Sequence, residues 1–429
     1  MTSTRERRTF RVLAAIGVVT ALTAGATACS GSEETSAGAT QLDPSLAKSA
    51  KGDVTVCGPT DASGVWKATM EAFNKAHSTM KARYVELGSS ADDQLQQINQ
   101  RMQTKSTQCD VLRLDVVWTA QLAAQGGLAD MSKVMEPKLD QLIPSTASTL
   151  RYKDTYWGVP FYSNAGLLYY RTDEAKAPRT WQELYSYGEK DAGKGFLYQA
   201  AQSESLTVSF LELLYSAGGE VLDKDGKVAI DAPKTVDVLK FMRDGMDKGA
   251  SPKSVLTYDE DATRLAFESG AGATMRNYPY AYAAGQKSGI AGKFAVTPLP
   301  GWNKPGAGIG VLGGSNLGVS AFSKNEAGAV AIIDFMTSEK WQESIAVNNA
   351  LAPVTEAAYR SARVQKAMPF SRELLQALKS AKSRPVSPVY PQMSQAIYEA
   401  VGKVLSGSLS PEDAASTMAK EIDAATRTF

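Results

Sequence analysis

The chain has 429 residues, a formal net charge of +1 and 43% hydrophobic residues. So balanced a charge gives no reason to expect nucleic acid or an acidic surface as partner. With one histidine, His77, and three cysteines, a zinc site lacks ligands, and a Ser-His-Asp or Cys-His arrangement would need a histidine at the polar end of a helix; no metal or other cofactor is expected.

At the start, Arg5, Arg7, Arg8 and Arg11 precede an uncharged apolar run over residues 12–26. That run is shorter than the roughly 20 residues a spanning helix needs. Basic head, short apolar stretch and small residues predict an export signal over residues 1–28. Ala26-Thr27-Ala28-Cys29 resembles a bacterial lipobox, although Ala26 stands where leucine is favoured. Cleavage there leaves Cys29 as a lipid-carrying first residue, anchoring the chain to the outer face of the cytoplasmic membrane. The alternative is an ordinary secretory signal cut after Ala28. Arg7-Arg8-Thr9-Phe10 is too short to choose the twin-arginine route. Residues 29–50 are mostly small and polar, too poor in large apolar groups to offset their ordering entropy, and predict a flexible tether.

The roughly 375 residues that follow suit two lobes with separate cores. No second apolar run reaches spanning length, so this body is expected to be soluble. Asp53-Val54-Thr55-Val56-Cys57 before Gly58-Pro59 predicts a strand and a turn. Val65, Trp66, Met70 and Phe73 share one face of a helix over 65–76. A strand over 82–87, a polar helix over 92–103 and a strand over 109–118 complete a parallel α/β unit. Its ligands belong at the carboxyl ends of the strands, just after Cys57 and around Asp115. Those strand positions put Cys57 and Cys109 several residues apart along the sheet, which argues against a disulfide, whereas export permits one. The pairing stays open.

Further on, 166–171 predicts a buried strand, and 181–187, 203–216 and 235–248 predict helices. The run Gly306 to Gly314 is rich in glycine. It does not lie between a strand and a helix with an acid about 20 residues on, as a dinucleotide fingerprint requires. It is expected to be a loop leading into a strand over 317–320.

Several segments, in this order and at these spacings, resemble the extracellular solute-binding proteins of carbohydrate ABC importers, the maltose-binding-protein-like cluster. They are Asp110 to Trp118, Trp157 to Arg171, Pro178-Arg179-Thr180-Trp181-Gln182-Glu183-Leu184, Phe267 to Gly270, Met275 to Tyr280, Val296 to Gly301 and a helix from Ala329 to Trp341. Asp115-Val116-Val117-Trp118-Thr119-Ala120 and Arg384 to Met393 carry a narrower likeness to the trehalose/maltose-binding branch of actinobacterial and archaeal importers. The resemblance implies an α/β, two-lobed periplasmic-binding-protein fold with discontinuous lobes joined by a hinge. Residues 51–161 and 299–349 would form the N-terminal lobe, and 162–298 and 350–429 the C-terminal lobe. It further implies a monomer that closes on an oligosaccharide and docks on the transmembrane subunits of an ABC permease, with no catalysis.

Sugars offer hydroxyls and apolar faces, so their sites pair carboxylates, amides and arginine with flat rings. The resemblance assigns such contacts to Asp115, to Asn164, to the aromatic Tyr278, to the backbone at Gly313 and Gly314, and to Arg384. Asp61 and Ser63 follow the first strand, and Trp118 and Tyr162 are candidates for stacking or packing. A glycoside hydrolase would need two facing carboxylates, and Asp92-Asp93 and Glu260-Asp261 lie on polar runs. A non-sugar solute such as a polyamine or phosphodiester is the other alternative.

Overall fold

The computed structural model describes residues 39–61, 64–88 and 91–428. The expected signal, Cys29 and Ser63 lie outside the described residues. The strands in chain order are β1 (Gly52–Gly58), β2 (Met80–Glu86), β3 (Val111–Asp115), a small hairpin of β4 (Arg151–Tyr152) and β5 (Thr155–Tyr156), β6 (Val159–Asn164), β7 (Leu167–Arg171), β8 (Phe196–Leu197), β9 (Thr274–Asn277), β10 (Phe294–Pro298) and β11 (Gly313–Val319).

They form two main sheets, one in the order β2-β1-β3-β11-β6 and one in the order β10-β7-β9-β8. In the first sheet β1 runs parallel to β2 and β3, while β11 is antiparallel to β3 and β6. Alternation along its strands feeds two cores. Val54, Val56 and Val111 pack with Ile332 and Ile333 of the helix Glu326–Thr337 on one face. Cys57, Leu112 and Leu114 pack with Ile98 and Trp118 on the other. The second sheet buries Leu167, Tyr169, Phe196, Met275 and Phe294 against the helices Glu204–Ser216 and Tyr390–Ser406. The architecture is α/β, with two separate sheets and a chain that passes between them more than once.

Only Ala165 and Gly166 separate β6 in the first sheet from β7 in the second. This crossing falls after Asn164 rather than after Phe161, because β6 completes the edge of the first sheet. Residues 299–310 remain with the second lobe, where Gly301 bridges to Thr180 and Gly308 N–H donates to Leu299 O. The next crossing is therefore at Val311-Leu312, later than expected.

Other expectations change in detail. Residues 39–50, expected to belong to a tether, are packed on the folded body: Leu42 is fully buried, its N–H donates to Asp130 O at 2.8 Å, and Asp43 caps a short 3-10 helix over Pro44–Ser49. One leucine in the right place anchors a segment whose average composition is polar. The third strand is confined to β3, and residues 116–118 turn away from it. The helix expected to run through residue 341 is broken at Ser338, whose extended backbone and hydroxyl cap a second helix, Glu339–Asn349. β11 begins at Gly313, not at residue 317, and the close approach to β6 explains its glycines. A Cβ on Gly314, at φ +120°, would lie 2.3 Å from the Tyr162 carbonyl oxygen. Cys57 and Cys109 form a disulfide, with Cα atoms 5.7 Å apart. Cys109 is not in the strand, and the loop carrying it turns back over β1, which shortens the span expected from strand positions.

Candidate functional site

The site follows from where the strands stop. β1, β2, β3 and β6 end at Gly58, Glu86, Asp115 and Asn164. β11 runs the other way and starts at the same rim, Gly313 opposite Asn164 and Ser315 opposite Asp115. In the second sheet, Leu167 at the start of β7 lies opposite Asn277 and Pro298, the ends of β9 and β10. With only two residues between Asn164 and Leu167, the two rims face each other. Ligands in open α/β sheets bind outside such rims.

A hollow of about 440 Å³ lies there, walled by Leu95, Asp115 and Trp118 from one lobe and by Glu204, Tyr390, Gln392, Ser394 and Tyr398 from the other. Its size falls in the range of about 300–1,000 Å³ for small-molecule sites. Glu204 opens the helix Glu204–Ser216, where a negative charge is favoured by the helix dipole. Its carboxylate accepts hydrogen bonds from the Tyr390 hydroxyl and the Ser394 hydroxyl.

Arg384 joins the two walls. Its Nη1 donates to Glu204 Oε1 at 2.5 Å, and its Nη2 donates to Asp115 Oδ1 at 3.5 Å and Leu312 O at 3.3 Å. Its backbone is held beside the crossing, because Lys382 N–H donates to Gly310 O and Leu312 N–H to Lys382 O, both at 2.9 Å. The side chain is 5% exposed. Burial opposes its charge, but Tyr390, Glu204 and Asp115 beside it outweigh this and hold its pKa well above the ordinary value. Burial and then Glu204 push the Tyr390 phenol well up as well, so it stays a donor. The Nε of Arg384 is buried without a hydrogen-bond partner among the described residues.

On the first-lobe side, Arg113 Nε donates to Ser315 Oγ at 2.6 Å, its Nη2 lies 3.9 Å from Asp115 Oδ2, and its guanidinium is 5.8 Å from the centre of the Trp118 ring. Asp115 is thus oriented by one arginine of its own sheet and by one at the hinge. In the second lobe, half-buried Tyr278 follows β9, with Arg276 Cζ over its ring, 4.2 Å from the ring centre, and its carbonyl accepting from Tyr169 OH at 2.7 Å.

Of the residues singled out in the sequence, Asp115, Trp118 and Arg384 surround or adjoin the hollow. Trp118 is 4% exposed, and most of its ring packs in the core. Asn164, Gly313 and Gly314 lie together at the rim beside the crossing. Tyr162 packs against Phe161 and beside Arg113. Asp61 is away from the hollow, and its Oδ2 accepts from Lys67 N–H, in the first turn of the helix Val65–Ala76, at 2.8 Å. Glu204, Tyr390 and Ser394 were not singled out. Tyr390 lies in the segment from Arg384 to Met393 that carries the family likeness, and Ser203-Glu204 marks a helix start, so both had a local signal but no visible partner. A larger open hollow of about 1,100 Å³, lined by Lys51, Asp53, Arg83 and Lys324 among others, lies beside the start of β1 and has walls from the first lobe only. Among the described residues, no group of three or more His, Cys, Asp and Glu is placed to hold a metal ion, and no helix is long and apolar enough to cross a membrane.

The family model described as bacterial extracellular solute-binding protein matches residues 58–343. A probable ABC transporter-binding protein of Deinococcus radiodurans is 33% identical over 368 residues, covering 80% of this chain and 86% of its own. Among solved structures, maltose-bound MalE3 of T. maritima is 32% identical with a TM-score of 0.80, covering 87% of this chain and 99% of that one. The GacH receptor of Streptomyces glaucescens shares the fold at 24% identity and a TM-score of 0.78, over 88% of this chain and 99% of its own.

Proposed function

The chain belongs to the bacterial extracellular solute-binding proteins, and from that premise we propose that it is the receptor of an ABC sugar importer. It is a binding protein and not an enzyme. In this reading it is exported, anchored through lipid on Cys29 to the outer face of the cytoplasmic membrane, and monomeric. It takes an α-linked disaccharide or short oligosaccharide, trehalose or another α-glucoside first, and delivers it to the permease.

The observation that carries the reading is the convergence of Asp115 and Glu204 from opposite lobes on Arg384, beside Tyr390 and Trp118. Carboxylates and guanidinium supply acceptors and donors for hydroxyls, and closure of the lobes desolvates them together. An unmatched hydroxyl then costs about 1–3 kcal/mol, which gives linkage selectivity. Arg384 is hydrogen-bonded to both carboxylates, an arrangement suited to holding hydroxyls and ill suited to the proton-carrying acid of a glycoside hydrolase. The maltose bound to the 32%-identical relative supports the ligand class.

The test is calorimetric titration of the body from residue 39 onward with trehalose, maltose, sucrose, melibiose, cellobiose and maltodextrins. Binding at micromolar concentration or tighter to α-linked members, without turnover, is expected. A folded protein that gives no heat with any of them contradicts the proposal.

A further inference from the structure

Glu212 lies in the middle of the helix Glu204–Ser216 and is fully buried. Its carboxylate takes a two-pronged pair from Arg276, Nε to Oε2 and Nη2 to Oε1, both at 2.8 Å, and both side chains are 1% exposed. Such a pair is a weak stabiliser in itself, since apolar residues of similar volume often do as well. What distinguishes this one is what else it holds. Oε1 also accepts from the backbone N–H of Val311, at 3.4 Å, in the second crossing. The same oxygen lies against Gly166 in the first crossing, so close that a Cβ there would be 2.1 Å from it. One carboxylate oxygen therefore contacts both chain crossings.

The charge is passed on in the other direction. Arg276 Nη1 donates to Gln199 Oε1 at 2.9 Å, and Gln199 Nε2 donates to Arg276 O at 3.1 Å, so the guanidinium is fixed at three of its nitrogens. Its Cζ then lies over the Tyr278 ring, 4.2 Å from the ring centre. Tyr278 has its carbonyl held by Tyr169 OH and its N–H by Asn277 Oδ1, leaving the ring to be set by Arg276.

We propose that Glu212 is a positioning residue that couples the hinge to the aromatic wall: it fixes both crossings through Gly166 and Val311 and sets the Tyr278 ring through Arg276. It touches no ligand itself. Rotation of the lobes at the crossings and placement of the ring are thereby parts of one connected set of contacts. The last link rests on the proposed ligand role of Tyr278; the hinge link does not.

Hydrogen exchange of the full folded body, without ligand, tests the hinge link. Glu212→Gln removes the charge and one of the two acceptor oxygens, so Arg276 and Val311 compete for the single oxygen that remains. Exchange in peptides 163–168 and 308–314 should rise together by about fivefold or more, while the helix Glu326–Thr337 in the other lobe is unchanged. If that variant folds poorly, Glu212→Met with Arg276→Met removes both charges at similar volume and should show the same paired rise. A folded variant in which either hinge peptide exchanges as in the wild type overturns the proposal. With maltose and trehalose as probes, Tyr278→Ala should weaken binding about tenfold in the wild type and less than about twofold in the Glu212→Gln background. Additive losses overturn the coupling to Tyr278. If the wild type binds neither sugar, the sugar reading fails and the exchange result alone decides the role of Glu212.

Discussion

Arg276 and Arg384 are both buried, and they are held in different ways. Arg276 sits inside the second lobe in a closed pair with Glu212, with Gln199 completing its partners. Arg384 sits at the border of the lobes, shared between a carboxylate of each, at 2.5 Å and 3.5 Å, with its Nε unpartnered among the described residues. A closed set of charge-assisted hydrogen bonds fixes geometry, whereas a shared and incomplete set can be exchanged for another partner. The first arrangement suits a support, and the second suits a contact to ligand.

That difference can be broken from either side. Arg276→Met should cost about 3–5 kcal/mol of stability, because it strands the buried Glu212 carboxylate; urea unfolding measures this. Arg384→Met should leave the fold nearly as stable but lower affinity for an α-glucoside by about 10- to 150-fold, as loss of a charged hydrogen bond of about 1.5–3 kcal/mol implies. If Arg384→Met lowers stability as much as Arg276→Met and spares binding, the distinction is wrong. Tyr278→Ala should cost about tenfold in affinity, read by calorimetry, with little change in melting temperature.

A smaller effect sharpens the picture of the cores. Burial holds the Tyr185, Tyr359 and Tyr390 phenols well above the ordinary 10.0. The folded chain thus keeps protons that the unfolded chain releases above about pH 10. Stability should be unaffected by these groups below that pH and should fall as pH rises through it, by up to about 1.4 kcal/mol per pH unit for each buried phenol. Melting curves at pH 8, 10 and 11 would show it, and a flat profile would contradict it.

Much of this architecture was legible locally. Val54 and Val56 before Gly58-Pro59, and the face of Val65, Trp66, Met70 and Phe73, announce their strand and helix by period alone. The lobe boundary expected after Phe161 falls inside β6, because that strand is defined by partners far along the chain, β11 and Ala352. The Cys57–Cys109 bond was undecided because it depends on the path of a loop, not on strand spacing. For the site, Asp115 and Arg384 were found through a family likeness. Glu204 stayed hidden because its meaning depends on Arg384 and Tyr390, which lie 180 and 186 residues away in the chain. Glu212 looked like any polar residue in a helix, and only the structure brings Gly166, Arg276 and Val311 around it.

The central claim is that the space between Asp115 and Glu204 receives the sugar. A crystal structure of the body grown with maltose tests it most directly. Saccharide density is expected between the lobes, with Arg384 and at least one of the two carboxylates hydrogen-bonded to its hydroxyls and Tyr278 or Tyr390 against its face. Density confined to the first-lobe hollow beside Lys51 and Lys324, with the space around Arg384 unchanged, would contradict it.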